Sequence, residues 1–371
     1  MTIKVWDYVE EYKAEREEIL AAVDRVFGSG ILILGNSVKS FEAEFAAYCG
    51  SRFGVGVDNA TNGIFLALKT LGIGQGDEVI TVSNTAVPTV SAIAQAGATP
   101  RFVDIEPDTG LMDVAKIEAA ITPRTRCLIP VHLYGQCVDM EGLLEIARRH
   151  DLRVIEDCAQ AHGTSRLGRK AGSMGDMGVF SFYPTKTLGG YGDGGLVTTN
   201  SEEYAARLRS LRFYGMKGQY NAEELGYNSR LDEVQAEILR VKLPRLDQYI
   251  ERRRALADRY KAILAQTSLE LPVEKAGNYH VYYVYVVKHP ERDRIIAELK
   301  SMDILVNISY PWPIHTMKGF AYLGGKEGDL PVTEKAAKMI FSLPMYPTLT
   351  EAQQDTVCRS LGKILGESVS V

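Results

Sequence analysis

Lys186 closes the run Phe180–Lys186, FSFYPTK, and opens onto TLGGYGDGG. A lysine directly behind an apolar aromatic strand is partly shielded from water. Burial lowers an ammonium pKa from about 10.4 and frees the neutral amine that carbonyl-trapping chemistry needs. Taken alone, such a lysine is an ordinary solvated loop residue. The glycines at 189, 190, 192, 194 and 195 would let backbone approach a ligand closely, although turns use glycine for the same freedom. A second group is Asp157, which ends the apolar run RVIED. That run reads as a buried parallel strand, and ligands in open α/β sheets bind beyond the carboxyl ends of strands. Without further context, such an aspartate serves as a cap for the next segment.

The third part is Gly56–Leu68, GVDNATNGIFLAL, where a strand gives way to small polar residues and then to a helix. Thr61 is the expected N-cap. The unpaired N–H groups and dipole of that helix start suit a phosphate. Neither a Walker A nor a Rossmann glycine pattern is present. A phosphate cradle, a carboxylate at a strand end and a lysine about thirty residues later match the needs of pyridoxal 5'-phosphate. That cofactor requires an amine to trap its aldehyde, an acid for its pyridine nitrogen and a phosphate site. Other polar residues have plainer readings: His280 begins a strand and is structural, and Asp193 steadies the glycine loop. His132 and Tyr134 follow a strand and could approach the cofactor.

These residues must be held by alternating elements. β-rich runs occur at Phe53–Val57, Glu78–Val82, Arg101–Val103, Cys127–Val131, Arg153–Glu156, Gly178–Phe182 and Gly195–Thr198. Helical stretches at 62–71, 139–149 and 201–212 separate several of them, and helices at 10–27 and 38–48 precede them. This alternation predicts an α/β fold with a mostly parallel seven-stranded sheet flanked by helices. Residues 233–264 read as a long helical region that Pro244 breaks. Beyond it the pattern changes, with an aromatic, β-branched strand at His280–Val287 and helices at 291–301 and 335–342. The expected division is a large cofactor-binding domain, 1–245, and a smaller C-terminal α+β domain, 246–371. The Glu/Arg-rich helices at 10–25 and 247–260 read as solvated faces or subunit contacts.

Composition narrows the class. The 371 residues are 46% hydrophobic and 24% charged, with a net charge of -5. An acidic balance argues against nucleic acid as a partner. The cysteines at 49, 127, 137, 158 and 358 form no C-x-x-C pair, so neither a disulfide framework nor a zinc site is expected, and no metal is assigned. The N-terminal MTIKVWDYVEEYKAEREEIL is acidic and has no apolar run of signal-peptide type, and no stretch is long and apolar enough to span a bilayer. The expected compartment is the cytoplasm.

DEVITVSNT, TPRTRCLIPVHLYGQ, VIEDCAQAHG, GVFSFYPTKTLGGYGDGG, YNSRLDEVQAEILRVKL and the late YPWPIH resemble the DegT/DnrJ/StrS family of sugar aminotransferases, nearly end to end. The resemblance implies the aspartate-aminotransferase fold (fold type I of pyridoxal-phosphate enzymes). It implies that Lys186 carries the cofactor as a Schiff base and shuttles protons, with Asp157 at the pyridine nitrogen. Gln160 would lie by the ring, Ser181 would bind the phosphate, and Ala60 and Thr61 would supply helix-start contacts. Asn228 would reach the phosphate of a neighbouring subunit, making a homodimer with shared active sites. Tyr310 and His315 would contact the nucleotide sugar, with His162 near the reacting centre. The implied reaction takes an amino group from L-glutamate, by way of pyridoxamine phosphate, to a dTDP-linked 3-keto-6-deoxyhexose. Amination at C4, a dehydratase, or a non-catalytic regulatory protein are the alternatives. The chain departs from the family pattern at Asn59-Ala60-Thr61, usually Ser-Gly-Thr, and at Ala86, where relatives carry an aromatic residue that stacks on the cofactor. It departs again at Thr187, usually Asn, and at Ser309-Tyr310-Pro311, where His-Tyr-Pro is frequent.

Overall fold

The computed structural model describes residues 2–218 and 220–371. Its main sheet has seven strands: β1 (Phe53–Val57), β2 (Glu78–Val82), β3 (Thr99–Val103), β4 (Thr125–Leu128), β5 (Arg153–Asp157), β6 (Met177–Ser181) and β7 (Gly195–Thr199). They lie in the order β1-β7-β6-β5-β4-β2-β3, and only β7 runs antiparallel to its neighbours. All seven expected strands are therefore present. Their side chains alternate between two cores, as a two-sided sheet requires. Val79, Cys127, Ile155, Val179 and Val197 point to one face, and Ile80, Leu128, Val154, Phe180 and Leu196 to the other.

The helices follow the sequence with small shifts: α1 (Tyr8–Ser29), α2 (Asn36–Cys49), α3 (Ala60–Thr70), α4 (Val87–Gln95), the single turn α5 (Ile117–Ala120), α6 (Met140–Arg149), α7 (Glu202–Leu211) and α8 (Glu233–Lys242). Helices α3, α4 and α7 cover the Val179 face, and α2, α6 and α8 cover the Phe180 face. Gly63 lets α3 lie close on β6, since a Cβ there would come within 2.7 Å of Val179. On the other face Phe45 meets Phe180 edge-on at 4.9 Å and Phe182 at 5.2 Å. Aromatic pairs of this kind contribute about 0.5–1.5 kcal/mol beyond their burial, and these two fix the strand that leads to Lys186.

Pro244 lies in a 3₁₀ turn, Leu243–Arg245, that separates α8 from α9 (Leu246–Leu264), where the sequence places the break. Helix α9 spans two cores. Leu246 and Ile250 join the large one, while Leu256, Ala257, Tyr260 and Leu264 join a third core. That core also takes side chains from the antiparallel pair β8 (Tyr285–Lys288) and β9 (Ile340–Leu343), from α10 (Arg292–Ser301) and from α12 (Glu351–Leu365). Helix α11 (Pro331–Met339) ends where β9 begins, so the expected helix at 335–342 is half strand. The expected strand His280–Val287 is also shorter. Tyr282 takes a left-handed φ of 46, which interrupts it before Tyr285. Ile3 sits in the third core and bridges Ile304, so the chain begins against its own C-terminal part. All five cysteines are free and buried.

Candidate active site

Strands β5 and β6 are parallel neighbours that end side by side, which brings Asp157 and the Lys186 loop together. Asp157 is buried. Its Oδ2 accepts a hydrogen bond from the Thr89 hydroxyl at 2.7 Å and its Oδ1 one from the Ala159 N–H at 3.1 Å. Burial raises its pKa above the usual carboxylate value. The Thr89 and Ala159 donors and the charge of Lys186 oppose that rise without cancelling it. A cation placed against this carboxylate would therefore be strongly favoured. Thr89 was not among the residues singled out from the sequence. It lies on α4, bonds in turn to Thr85 at 3.0 Å, and was hidden because a threonine in a helix reads as a surface or capping residue.

Lys186 is half-buried. Its N–H closes a turn onto Tyr183 O at 2.9 Å, and its Nζ lies 4.8 Å from the centroid of the Tyr283 ring. The glycines after it serve the protein itself. A Cβ at Gly195 would come within 2.6 Å of the Asn59 carbonyl carbon, and one at Gly189 within 2.3 Å of Pro184 O. At Gly189 and Gly195 the close approach is to neighbouring backbone, while Gly190 and Gly192 lie against Gln235 and Gly194 against Leu231.

The helix start differs from expectation by two residues. Asn59, not Thr61, is the N-cap of α3, its side chain accepting from Asn62 N at 2.9 Å. An extended φ of -165 at Asn59 makes its carboxamide the nearest acceptor for the first turn. Ala60 and Thr61 then occupy the first turn, and their N–H groups find no acceptor among the described residues. Ser181 ends β6. These donors fit a phosphate, and the buried, under-satisfied Asp157 fits a protonated pyridine nitrogen.

Gln160 joins the two halves of the chain. Its Oε1 accepts from the Tyr134 N–H at 2.8 Å, and its Nε2 donates to the Tyr310 hydroxyl. Tyr134 and Tyr310 stack at 6.5 Å with 21° between their planes, and both hold positive φ, 62 and 67. Left-handed backbone at two large side chains is strained and is tolerated where surrounding contacts over-determine it. A cavity of about 310 Å³ lies beside these groups, lined among others by Trp6, Tyr183, Thr185, Arg253, Tyr283 and Tyr310.

Two of the histidines are enclosed by the protein's own side chains. His162 has no exposed surface and packs among Phe45, Phe180 and Phe182, at 6.2, 5.5 and 5.8 Å. Burial, assisted by the charge of Lys186, lowers its pKa to about 3 against a weak opposing pull from the Ser181 backbone. His315 is buried too. Its Nδ1 bonds Ser83 Oγ at 2.8 Å and its Nε2 bonds Glu334 at 3.0 Å, so both ring nitrogens are already engaged. Asn228 is exposed and lies in a short bridge with Phe213. Arg230 stacks over Phe213 and Tyr214, and the backbone of Asp232 bridges Ile33.

A half-buried lysine loop, a buried carboxylate and an open helix start on this sheet fit a fold-type-I pyridoxal-phosphate enzyme. Residues 13–362 match the DegT/DnrJ/EryC1/StrS aminotransferase family, and the chain belongs to it. The dTDP-3-amino-3,4,6-trideoxy-alpha-D-glucose transaminase of Micromonospora megalomicea subsp. nigra is 58% identical over 371 residues, covering 98% of this chain and 99% of that protein. The crystal structure of S. venezuelae DesV in complex with a ketimine intermediate superposes with a TM-score of 0.97 at 42% identity, covering 99% of each chain. NtdA from Bacillus subtilis with bound cofactor PMP gives 0.90 at 32% identity, over 95% of this chain and 82% of that one. The protein is a pyridoxal-phosphate-dependent sugar aminotransferase. No helix among the described residues is long and apolar enough to cross a membrane.

Proposed function

We propose that this enzyme transfers the amino group of L-glutamate to C3 of a dTDP-linked 3-keto-6-deoxyhexose, giving a 3-amino sugar. The observation that carries the chemistry is the buried Asp157 at the end of β5, beside the loop after β6 that carries Lys186, whose charge reaches it. The similarity to the M. megalomicea transaminase supports the substrate and the carbon.

Bound pyridoxal phosphate supplies an aldehyde that accepts and returns an amino group and a ring that withdraws electrons. Ala60 and Thr61 offer their free N–H groups, and Ser181 its hydroxyl, to the phosphate. Asp157 would keep a proton on the pyridine nitrogen, with Thr89 holding its Oδ2. Lys186 would hold the cofactor's aldehyde carbon and, as a free amine, would carry a proton to and from the donor α-carbon. Because the second half-reaction is the first in reverse, one lysine on one face serves both. Gln160 holds Tyr310 at the mouth of the cavity, where the sugar would lie. His315 acts through Ser83 and Glu334 by positioning the loop that carries Tyr310.

Asn228 would complete the phosphate site of a second subunit. Its exposure supports this, as do the exposed apolar side chains of Phe27, Ile31, Leu32 and Ile33. The cofactor would be held mainly by residues 1–245, with 246–371 closing the substrate side.

The test is spectroscopic. Glutamate should bleach the visible absorbance of the holoenzyme, and a dTDP-linked 3-keto-6-deoxyhexose should restore it with nitrogen at C3 by NMR. Lys186→Ala should lose the visible absorbance and turnover. No bleaching by glutamate would remove it as donor, and nitrogen at C4 would overturn the C3 assignment.

A further inference from the structure

Helix α9 carries ERRRALADR, and its arginines are treated differently by the fold. Arg254 pairs with Glu274 at 2.8 Å and Arg259 with Asp355 at 2.5 Å. Arg253 is buried, 6% exposed, and forms no ion pair among the described residues. One of its terminal nitrogens donates to three carbonyl oxygens: Met345 at 2.9 Å, Tyr283 at 3.1 Å and Tyr282 at 3.4 Å. Its Nε is buried and has no acceptor among the described residues. The second terminal nitrogen makes no hydrogen bond among the described residues. The acid whose charge reaches it, Glu11, is held by Lys242 at 2.6 Å.

A buried cation without a carboxylate is costly, because its charge is taken out of water and nothing returns the lost solvation. Carbonyl dipoles offset part of that cost, and burial still pulls the Arg253 pKa down to about 10. The side chain lies on the wall of the cavity shared by Trp6, Tyr183, Thr185, Tyr283 and Tyr310. Through Tyr283 that cavity adjoins Lys186, and through Tyr310 it adjoins Gln160. A guanidinium with unused donors in such a place is built to take an oxyanion, with planar donors that match a carboxylate or a phosphate.

We propose that Arg253 is the anion anchor of the active-site cavity and binds an oxyanion of a substrate, either a carboxylate of the amino donor or the diphosphate of the nucleotide sugar. The proposal rests on the transamination reading above for its substrates. It makes Arg253 a substrate-binding residue in a helix whose sequence reads as a solvated face.

Holoenzyme of the wild type, Arg253→Gln and Arg253→Lys is titrated calorimetrically with glutarate, a dicarboxylate without the amine, and with dTDP, a diphosphate without the sugar. Arg253→Gln should weaken one of the two at least tenfold and leave the other within twofold, with partial recovery in Arg253→Lys. Loss of glutarate assigns the donor carboxylate, and loss of dTDP assigns the diphosphate. A folded Arg253→Gln that binds both as the wild type does overturns the proposal, and so does a wild type that binds neither. If Arg253→Gln does not fold, the wild-type cavity still answers. The chain has two tryptophans, so Trp312→Phe leaves Trp6, on the same cavity wall, as sole reporter. An anion bound at Arg253 should change Trp6 emission, and anion binding that leaves it unchanged overturns the proposal. If glutamate fails to bleach the holoenzyme while Arg253→Gln still loses dTDP, the donor assignment fails and the anchor stands.

Discussion

Glu156 and Asp157 are consecutive buried carboxylates on β5, and they point to opposite faces of the sheet. Glu156 faces the α2 and α6 side and is surrounded by donors. The N–H groups of Gly172, Met174 and Gly175 reach it at 2.9, 2.7 and 2.7 Å, and His132 Nε2 lies at 3.0 Å. His132 Nδ1 accepts from the Val138 N–H, so the ring proton sits on Nε2 and points at Glu156. Burial would raise the Glu156 pKa, but the His132 bond and the backbone donors more than reverse that, and it lies below the usual value. Asp157, one residue on, has two donors and a raised pKa. The satisfied acid serves the fold, and the under-satisfied one retains capacity for a ligand. Cys158 adds a thiol to His132 and Glu156, yet the backbone and imidazole bonds already occupy the carboxylate and both ring nitrogens.

The contrast predicts opposite phenotypes. Asp157→Asn should cut amine transfer by roughly 10³-fold, the scale for loss of one preorganised electrostatic partner. Cofactor affinity should fall with it, and the cofactor-free protein should unfold much as the wild type does. Glu156→Gln should do the reverse. Breaking a buried, fully bonded charge costs about 3 kcal/mol or more, which urea unfolding of the cofactor-free protein would measure, while the cofactor spectrum of the folded fraction stays unchanged. The linkage signs differ too. Glu156, with a lowered folded pKa, contributes stability that is lost as pH falls; Asp157, with a raised one, contributes stability that is lost as pH rises. If Asp157→Asn destabilised the protein as much as Glu156→Gln, the division of labour between the two acids would be wrong.

Thr89 sharpens the same comparison at smaller scale. A hydrogen bond to a charged group contributes about 1.5–3 kcal/mol. Thr89→Val should therefore weaken pyridoxal phosphate binding roughly tenfold and shift the pH titration of the bound chromophore. Thr89→Ser, which keeps the hydroxyl, should restore both. An unshifted titration in Thr89→Val would limit the hydroxyl to packing α4.

The sheet was legible because each strand is a short β-branched run between turn residues, and burial on both faces leaves that pattern intact. Lys186 and Asp157 stood out because they sit at strand ends, where a polar residue interrupts an apolar run. Residues that act through side-chain geometry were not legible. Thr89 reaches Asp157 across 68 positions, and nothing local marks it. Arg253 sits in a run of charged residues, of which Arg254 and Arg259 are paired, so its sequence context reads as a solvated surface. The N-cap was misplaced by two residues because Asn59 and Thr61 are both good caps, and backbone geometry decides between them.

His162 shows the smallest effect and the clearest sign. Its pKa of about 3 in the folded protein lies below the ordinary 6.5, so between those values the unfolded chain binds a proton that the folded one refuses. Its contribution to stability is complete above pH 6.5 and declines as pH falls toward 3, by about 1.4 kcal/mol per pH unit within that window. Its neighbours Phe45, Phe180 and Phe182 offer no acceptor for an imidazolium, and the charge of Lys186 opposes one. His162→Phe should consequently flatten the dependence of unfolding free energy on pH between 4 and 6 by close to one proton, while Glu156 and the other lowered carboxylates keep the remaining slope. A variant with an unchanged slope would mean that His162 takes up its proton in the native state, and the aromatic enclosure would then have to open near Ser181 to admit water.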